Sequence, residues 1–429
     1  MSDYKIIIMI TKLWSDRNRG DSAIGIATAQ LMKRIFPNSK LYGMSYFGAN
    51  QNDLVQSELF TTNKYFDQVV GGLFPTNISY KSGNQTRALS LVFAIVILLL
   101  IRTKWLTKIS LGKFRRSLEL FKGSDIIVIK GGSHIHGGRG VRSFILLFKE
   151  LYPAFLAFFL KKPYLMLGHS FWDIDTTPSK CLFRFIAKRA ALITVREAVS
   201  FENLKKIGIF ENVKIVPDLA FFYRGEGKKS SLQTEPRRKR IGVTVRCWGT
   251  TQDRNRYLSF MSEFIEFLVQ KYKATVLIIP HTRGPYAFGD DLLESKRLYD
   301  LIKCKGLAEA YLVDEDLSMQ DLFDLYGSLD FLIGTRFHSV IFALLMGVPA
   351  IAISYSSPKA YGIMKMIGIE RFCLEISNIK LKELVQRFVD LEQSSQKIRS
   401  QIESFLSKLD IEQNNLENLI RNTVHTQIE

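Results

Sequence analysis

Short apolar runs alternate with helix-length segments from one end of the chain to the other, which is the pattern of parallel sheets with crossover helices. In the first half, strands are expected at Lys5–Ile10, Ile126–Ile129, Tyr164–Leu167, Leu192–Val195 and Val213–Val216. In the second half they are expected at Ile241–Val245, Thr275–Ile279, Phe331–Ile333 and Ala350–Ile353. Between the halves, Tyr223–Arg240 holds seven basic residues, two Glu, two Ser and Pro236 with almost nothing apolar, and reads as a linker. The expected architecture is α/β, with two doubly wound domains facing a cleft. They occupy residues 1–222 and 241–380, joined by a 223–240 linker. A helical segment, 381–429, completes the chain; its Leu384, Phe388 and Leu391 keep helical spacing. No internal repeat is evident.

Two greasy stretches depart from this alternation. Ala88–Ile101 is apolar except for Ser90, a run of 14 residues. As a helix it reaches about 21 Å, short of the roughly 30 Å hydrocarbon slab, so it is not expected to span a bilayer. Arg102–Arg116 follows with six Lys/Arg, no acid, and Trp105. The second stretch, Phe144–Leu160, is interrupted by Lys149, Glu150 and Pro153 and closed by Lys161-Lys162. Two readings stand: buried helices with solvated flanks, or peripheral contact of the basic and apolar insertion near residues 85–116 with an anionic leaflet.

Composition narrows the classes. The 429 residues are 47% apolar and 23% charged, which excludes disorder, collagen and coiled coil as the main architecture. The balance of 59 Lys+Arg against 41 Asp+Glu leaves +18, favouring anionic partners. Cys181, Cys247, Cys304 and Cys373 have no metal-type spacing and read as small buried hydrophobes in a reducing compartment. The first apolar run, Ile6–Ile10, is shorter than a signal-peptide core, so a cytoplasmic protein is expected.

In open α/β sheets ligands bind beyond the carboxyl ends of the strands, so candidate chemistry is sought there. After the first strand, Asn18-Arg19-Gly20-Asp21-Ser22 opens a helix, with Asp21 or Ser22 as an N-cap at a potential anion site. After Ile129 comes Lys130-Gly131-Gly132-Ser133-His134-Ile135-His136, neither a Walker loop nor a dinucleotide fingerprint; without a third ligand the two histidines make a poor zinc site. His169, at another strand end, is an acid–base candidate or a histidine satisfied by backbone. Arg196-Glu197 reads equally as a surface ion pair, and Asp218 as a turn cap.

The second half is sharper. Arg246 and Pro280-His281 end two strands, and Gly334-Thr335-Arg336-Phe337-His338-Ser339 leads into a wholly apolar helix, Val340–Met346. Arg336 can grip a carboxylate or phosphate through two parallel bonds, helix N–H groups add to it, and His338 can move a proton. From Thr335 through Ile369 there is no Asp or Glu. Nucleotide-sugar transferases often use a carboxylate there for the ribose, so this basic region suits a small, highly anionic donor better.

Taken together, these motifs resemble the polysaccharide pyruvyl transferase family. The resemblance rests on Asn18-Arg19-Gly20-Asp21, Lys130-Gly131-Gly132, Val195-Arg196-Glu197 with Ser200, Val216-Pro217-Asp218 and Gly242–Arg246. It is most specific from Asp330 to Gly368, especially Arg336-Phe337-His338, Gly347-Val348-Pro349 and Tyr355 with Pro358-Lys359. Residues 51–116 and His134–Gly138 have no counterpart in it. The resemblance implies two Rossmann-like domains in a GT-B-like arrangement, and transfer of pyruvate from phosphoenolpyruvate to a sugar hydroxyl pair as a ketal. The acceptor is a glycan or lipid-linked sugar, held on the N-terminal side. No metal or organic cofactor is implied. Arg336, Arg246, Phe337, Lys359 and Tyr355 are expected at the donor, and Asn18, Gly20, Asp21, Gly131 and Gly132 complete the substrate-binding set. His338 is the expected general acid, with His169 as its partner. Two alternatives remain, a nucleotide-sugar glycosyltransferase of GT-B type and a non-catalytic basic protein binding anionic lipid or nucleic acid. Nucleic acid is disfavoured, because the aromatics lie within apolar runs rather than among Lys/Arg.

Overall fold

The computed structural model describes residues 5–74, 84–103, 112–172, 174–225, 238–286, 289–355 and 359–428. Most of the expected linker, Trp105 and its basic neighbours, and Pro358 lie outside these. The chain divides into two compact units. The first comprises Met1–Asp16, Asp21–Tyr223 and Ile411–Glu429; the second comprises Arg17–Gly20 and Arg224–Asp410. The end of the chain, expected within a separate helical segment, thus groups with the first unit.

The first unit carries a seven-stranded parallel sheet. Its strands are β1 (Ile7–Leu13), β2 (Lys40–Gly48), β3 (Gln68–Gly72), β4 (Ile126–Lys130), β5 (Tyr164–His169), β6 (Leu192–Val195) and β7 (Val213–Ile215), in the order β3-β2-β1-β4-β5-β6-β7. Its helices are α1 (Arg19–Ile35), α2 (Asn52–Glu58), α3 (Asn84–Leu100), α4 (Arg115–Gly123), α5 (Val141–Phe159), α6 (Thr177–Ala187) and α7 (Ala198–Lys206). The second unit has six parallel strands: β8 (Arg240–Thr244), β9 (Thr275–Ile278), β10 (Ala310–Leu312), β11 (Phe331–Gly334), β12 (Ala350–Ser354) and β13 (Cys373–Glu375), ordered β10-β9-β8-β11-β12-β13. Around them lie α8 (Thr251–Tyr272), α9 (Asp291–Cys304), α10 (Met319–Gly327), α11 (Phe337–Leu345), α12 (Lys359–Ile367), α13 (Leu381–Gln393) and α14 (Ser395–Leu406); α15 (Leu409–Ile428) ends the chain. Both sheets reverse direction of growth beside their first strand, between β1 and β4 and between β8 and β11, which places a crevice for ligands at the carboxyl end of each pair.

All nine expected strands are present. The four strands not anticipated are edge or near-edge elements whose sequences hide them: β2 mixes Lys, Gly and Ser into its run, β3 is Gln-Val-Val-Gly-Gly, and β10 and β13 are three residues each. Central strands are covered on both faces and read as apolar runs; edge strands do not. The apolar α11 is buried almost throughout, from Ser339 to Leu344, and Gly347 at φ 74° lets the chain leave it.

The greasy run is not a buried helix. On α3, Ala94, Ile97 and Leu98 pack inward, whereas Leu89 and Leu99 are each 68% exposed and Val92, Ile95 and Val96 share their face. Among the described residues, no helix is long and apolar enough to cross a membrane. The second stretch forms α5, which runs through Pro153 without ending. The cysteines are not the buried hydrophobes expected: Cys181 and Cys304 are exposed, and Cys247 and Cys373 are partly buried.

The glycine pair after β4 has a packing reason. A Cβ on Gly131 would fall 2.4 Å from the carbonyl oxygen of Leu167 and 2.3 Å from that of Gly168. Gly131→Ala must therefore push β4 and β5 apart, at about 1–3 kcal/mol. A lowered denaturation midpoint at unchanged transition slope is the expected outcome in a chemical unfolding titration.

Candidate active site

In the second unit, three neighbouring strand ends converge. Val245 and Arg246 follow β8, Thr335 and Arg336 follow β11, and Tyr355 follows β12, with Lys359 opening α12. The Thr244 carbonyl accepts from Thr335 N at 3.1 Å, and the Thr244 hydroxyl lies 3.0 Å from that of Ser339 in α11. The Tyr257 hydroxyl meets that of Thr335. These bonds fix where α11 begins, and hence the backbone of Arg336, its N-cap residue.

The side chain of Arg336 is not left open for a bidentate grip on substrate, as the sequence suggested. Its Nε donates to both carboxylate oxygens of Asp291 at 2.9 Å, and Nη2 donates to Asp291 at 2.7 Å and to the Gly289 carbonyl at 2.9 Å. Asp291 is fully buried at the start of α9 and also accepts from Thr282 N. It supplies the carboxylate missing from Thr335–Ile369. Burial alone would weaken the charge on Arg336; the Asp291 carboxylate more than compensates and holds the guanidinium protonated.

Around this pair stands a cluster of positive charge. The Arg246 guanidinium lies 3.8 Å from the centre of the Tyr355 ring. Burial acts to raise the phenol's pKa, yet Lys359, Arg246 and Arg336 overcome it and bring the phenol down to about 8. Arg246, Arg336, Tyr355 and Lys359 are all only partly buried, so solutes reach them. His338, the second residue of α11, is also partly buried and packs against Gly20, where a Cβ would fall 2.1 Å from its Nδ1. Phe337 is core. Asn18 forms a backbone bridge with Thr282, and Arg19 donates to Asp316 at 2.6 Å and to the Leu317 carbonyl at 2.7 Å, which pins the segment carrying Gly20. His281 is buried on Tyr326; burial first, then the charges of His338, Arg336 and Arg19, keep it neutral.

The remaining sequence candidates lie in the first unit. Asp21 is no N-cap there: its carboxylate takes the buried Lys130 ammonium at 2.8 Å. Ser22 instead donates to Asp16, whose carboxylate also accepts from Thr61 N and Thr62 N. Arg196 is not a surface partner of Glu197. It is buried and bonds Asp218, Ser170 and Ser133, tying the glycine loop to the ends of β5 and β7. Asp218 does also cap its turn, accepting from Ala220 N. His169 is fully enclosed, donates through Nε2 to the Ile129 carbonyl and stacks on Phe171; burial, with His134 beside it, holds it neutral well below its ordinary pKa. This is the backbone-satisfied alternative rather than an exposed acid–base group. His134 and His136 diverge, one against His169 and the other on Trp172. Gly132 accepts from Ser170 N, and Gly131 is fixed by packing.

Sequence reading missed Asp291, because its partner lies 45 residues away. The one available signal was an acid at the start of a helix. It also missed the buried ion pair of Lys12 with Glu150 at 2.9 Å.

The phenol supplies a direct check. An ordinary tyrosine ionises near ~10; Tyr355 should ionise as pH rises through about 8. An early step in tyrosinate absorbance is expected, absent in Tyr355→Phe and moved to higher pH in Lys359→Gln. Coincident titration curves for the wild type and Tyr355→Phe would contradict the charge cluster.

Comparison with known proteins places the chain. A family model described as polysaccharide pyruvyl transferase matches residues 18–357. The amylovoran biosynthesis protein AmsJ of Erwinia amylovora is 26% identical over 298 residues, which is 64% of this chain and 69% of that protein. Among solved structures, UDP-GlcNAc 2-epimerase from Neisseria meningitidis superposes with TM-score 0.56 at 13% identity, covering 96% of this chain and 99% of the other. Anabaena Alr3699/HepE, solved with UDP and glucose, gives 0.53 at 12%, covering 97% and 99%. These structural likenesses establish a GT-B-like fold. The family match establishes more: the chain is a transferase and belongs to the polysaccharide pyruvyl transferase family.

Proposed function

We propose that the protein transfers pyruvate from phosphoenolpyruvate to two hydroxyls of one sugar, forming a ketal on a polysaccharide or on a lipid-linked glycan precursor. The observation that carries this reading is the convergence of Arg246, Arg336 and Lys359 on Tyr355 at the carboxyl ends of β8, β11 and β12. Three cations against the single carboxylate of Asp291 leave an excess suited to a donor with both a phosphate and a carboxylate. Because Asp291 occupies one edge of Arg336, that residue acts mainly as a fixed charge, while Arg246 and Lys359 make the direct contacts.

In this reading His338 gives a proton to the methylene carbon C3 while a sugar hydroxyl adds to C2 and releases its own proton to solvent, so the C2=C3 π bond and the O–H bond break as C3–H and C2–O form. The C2–O bond to phosphate then breaks, its electron pair leaving with the phosphate. A second hydroxyl of the same sugar closes on C2, and its proton is released. In this reading Tyr355, beneath the Arg246 guanidinium, hydrogen-bonds the departing phosphate. His169, buried and neutral, is given a structural part. The fold neighbours suit a nucleotide-sugar transferase too, so the test needs both donors.

We also propose that the acceptor is met at an anionic membrane surface, with α3 as the contact. Its outer face presents Leu89, Val92, Ile95, Val96 and Leu99. Between Asp67 and Glu119 the sequence has eight Lys/Arg and no acid, and Arg102, Lys113, Arg115 and Arg116 are exposed. An apolar stripe set in positive charge binds anionic leaflets by burial and attraction together.

Calorimetric titration with phosphoenolpyruvate, with UDP-glucose as the second arm, tests the first proposal. Saturable binding of phosphoenolpyruvate is expected, weakened about tenfold or more in Arg246→Ala, since a charge-assisted bond contributes roughly 1.5–3 kcal/mol. His338→Ala should bind the donor but lose about 10²–10⁴ in turnover. Binding of UDP-glucose without phosphoenolpyruvate would overturn the reading. For the second proposal, co-sedimentation with phosphatidylglycerol vesicles is expected and with phosphatidylcholine vesicles is not. Replacing Val92 and Leu99 by Ser should abolish it; retained binding by that variant would exclude α3 as the contact.

A further inference from the structure

The loop after β9 carries a group that the proposed chemistry does not use. Beyond the strand the chain runs Pro280-His281-Thr282, and His281 is 1% exposed. Its ring meets Phe342 of α11 edge-on, with centroids 5.1 Å apart, and its Nδ1 lies 3.0 Å from the Tyr326 hydroxyl of α10. Among the described residues, no group hydrogen-bonds the other ring nitrogen, Nε2, although it is shut off from solvent. A buried polar atom without a partner is rare and costly, and in native structures such atoms recur at catalytic groups. Phenylalanine in this place would fill a similar volume and leave nothing unpaired.

Two features place His281 beside His338. Phe342 lies four residues after His338, one turn on and on the same side of α11, so a ring packed on Phe342 sits next to His338. From another side, the segment that opens α1 touches both. Asn18 bridges to Thr282, and the Arg17 carbonyl accepts from Arg283 N at 2.9 Å. Gly20, two residues on from Asn18, abuts the His338 ring.

The surroundings of His281 are positive. Burial first, then His338, Arg336 at the head of α11 and Arg19 at the start of α1, keep its ring neutral. From α10 comes only the Tyr326 hydroxyl. The nearby acid, Asp291 of α9, is taken up by Arg336 and by Thr282 N. In a neutral imidazole one nitrogen is a donor and the other an acceptor. Positive surroundings favour a lone pair over an N–H on the unpartnered edge. The proton therefore belongs on Nδ1, donated to the Tyr326 oxygen, and Nε2 is an acceptor.

We propose that His281 is the positioning residue of His338: its Nε2 accepts the imidazolium N–H that His338 does not give to substrate. An imidazolium carries two N–H groups on different edges, and a general acid acts only when its ring is aimed. Tyr326 fixes His281, and His281 fixes His338. The proton delivered to C3 leaves from the other edge of His338, the N–H held by His281 stays in place, and His281 is neutral before and after. The catalytic meaning rests on the pyruvyl-transfer reading; the pairing of the two rings does not.

The test is NMR of the full chain with isotopically labelled histidine, with His338→Gln and His281→Gln assigning the two rings. In the wild type, His281 should show the Nδ1–H tautomer and stay neutral while His338 titrates. In His281→Phe the His338 titration should move down by about one pH unit, since a hydrogen bond to the charged form favours that form. His281→Gln, whose amide oxygen reaches the Nε2 position, should recover most of that shift. An Nε2–H tautomer at His281, a His338 titration unmoved in His281→Phe, or equal downward shifts in the Phe and Gln variants would overturn the proposal. The tautomer is read in the wild type and stands even where His281→Phe fails to fold. Failure of the donor reading shows instead as absent phosphoenolpyruvate binding in calorimetry and leaves the NMR result unaffected.

Discussion

The pairing of Arg336 with Asp291 is the interaction on which the candidate site of the second unit depends. An arginine at the head of a buried apolar helix would be costly alone, and a fully buried aspartate more so. Together, with the Gly289 carbonyl and Thr282 N as further partners, they satisfy each other and hold α9 and α11 to one another. Removing Arg336 would leave the buried Asp291 charge unpaired, a loss of about 3–5 kcal/mol. The pair thereby fixes the start of α11, on which His338 sits one residue past Phe337, and the positive edge that faces Tyr355. Positioning and charge come from the same bond.

The first unit solves the same problem with the same device. Arg196 leaves β6 and, wholly buried, joins Asp218 after β7 to Ser133 of the glycine loop and Ser170 after β5. Loops at the carboxyl edge of a parallel sheet have few backbone partners of their own. A buried arginine, with several donors in a fixed plane, can hold three of them at once. The two arginines differ in what remains exposed. Arg196 is closed on all sides, whereas Arg336 keeps a partly open face beside Arg246 and Lys359. That difference separates a scaffold from a candidate site.

What was legible in the sequence follows from how local each feature is. Central strands are buried on both faces and announce themselves; β10 and β13, three residues long, do not. Arg336 and His338 stood out because charge beside an apolar helix demands a partner, but Asp291 could not be named, since pairing across 45 positions is a property of the sheet order. Lys149, Glu150 and Pro153 looked like interruptions of a greasy helix. Their purpose depends on Lys12, 138 residues from Glu150, turned by a bulge that no pattern of hydrophobicity records. The acid–base promise of His169 rested on its place at a strand end; its burial, set by Phe171 and the Ile129 carbonyl, was not readable from spacing.

The distribution of charge completes the argument. Among the described residues, the buried acids Asp16, Glu58, Glu150, Glu197, Asp218, Asp291, Glu294 and Glu417 outnumber the buried bases Lys12, Arg19, Lys130 and Arg196. Carboxylates are withdrawn from the surface to organise loops, so the surface is more basic than the sequence total of +18 implies. Such a field draws anions toward the molecule over distances of about a Debye length, ~8–10 Å at physiological salt. It does not by itself choose among phosphate, carboxylate and lipid headgroup. In the proposed function that choice falls to local features: a phenol beneath the Arg246 guanidinium, and an apolar stripe among lysines and arginines. One global bias would thus serve both the proposed donor and the proposed membrane surface, with the local arrangement conferring the selectivity of each.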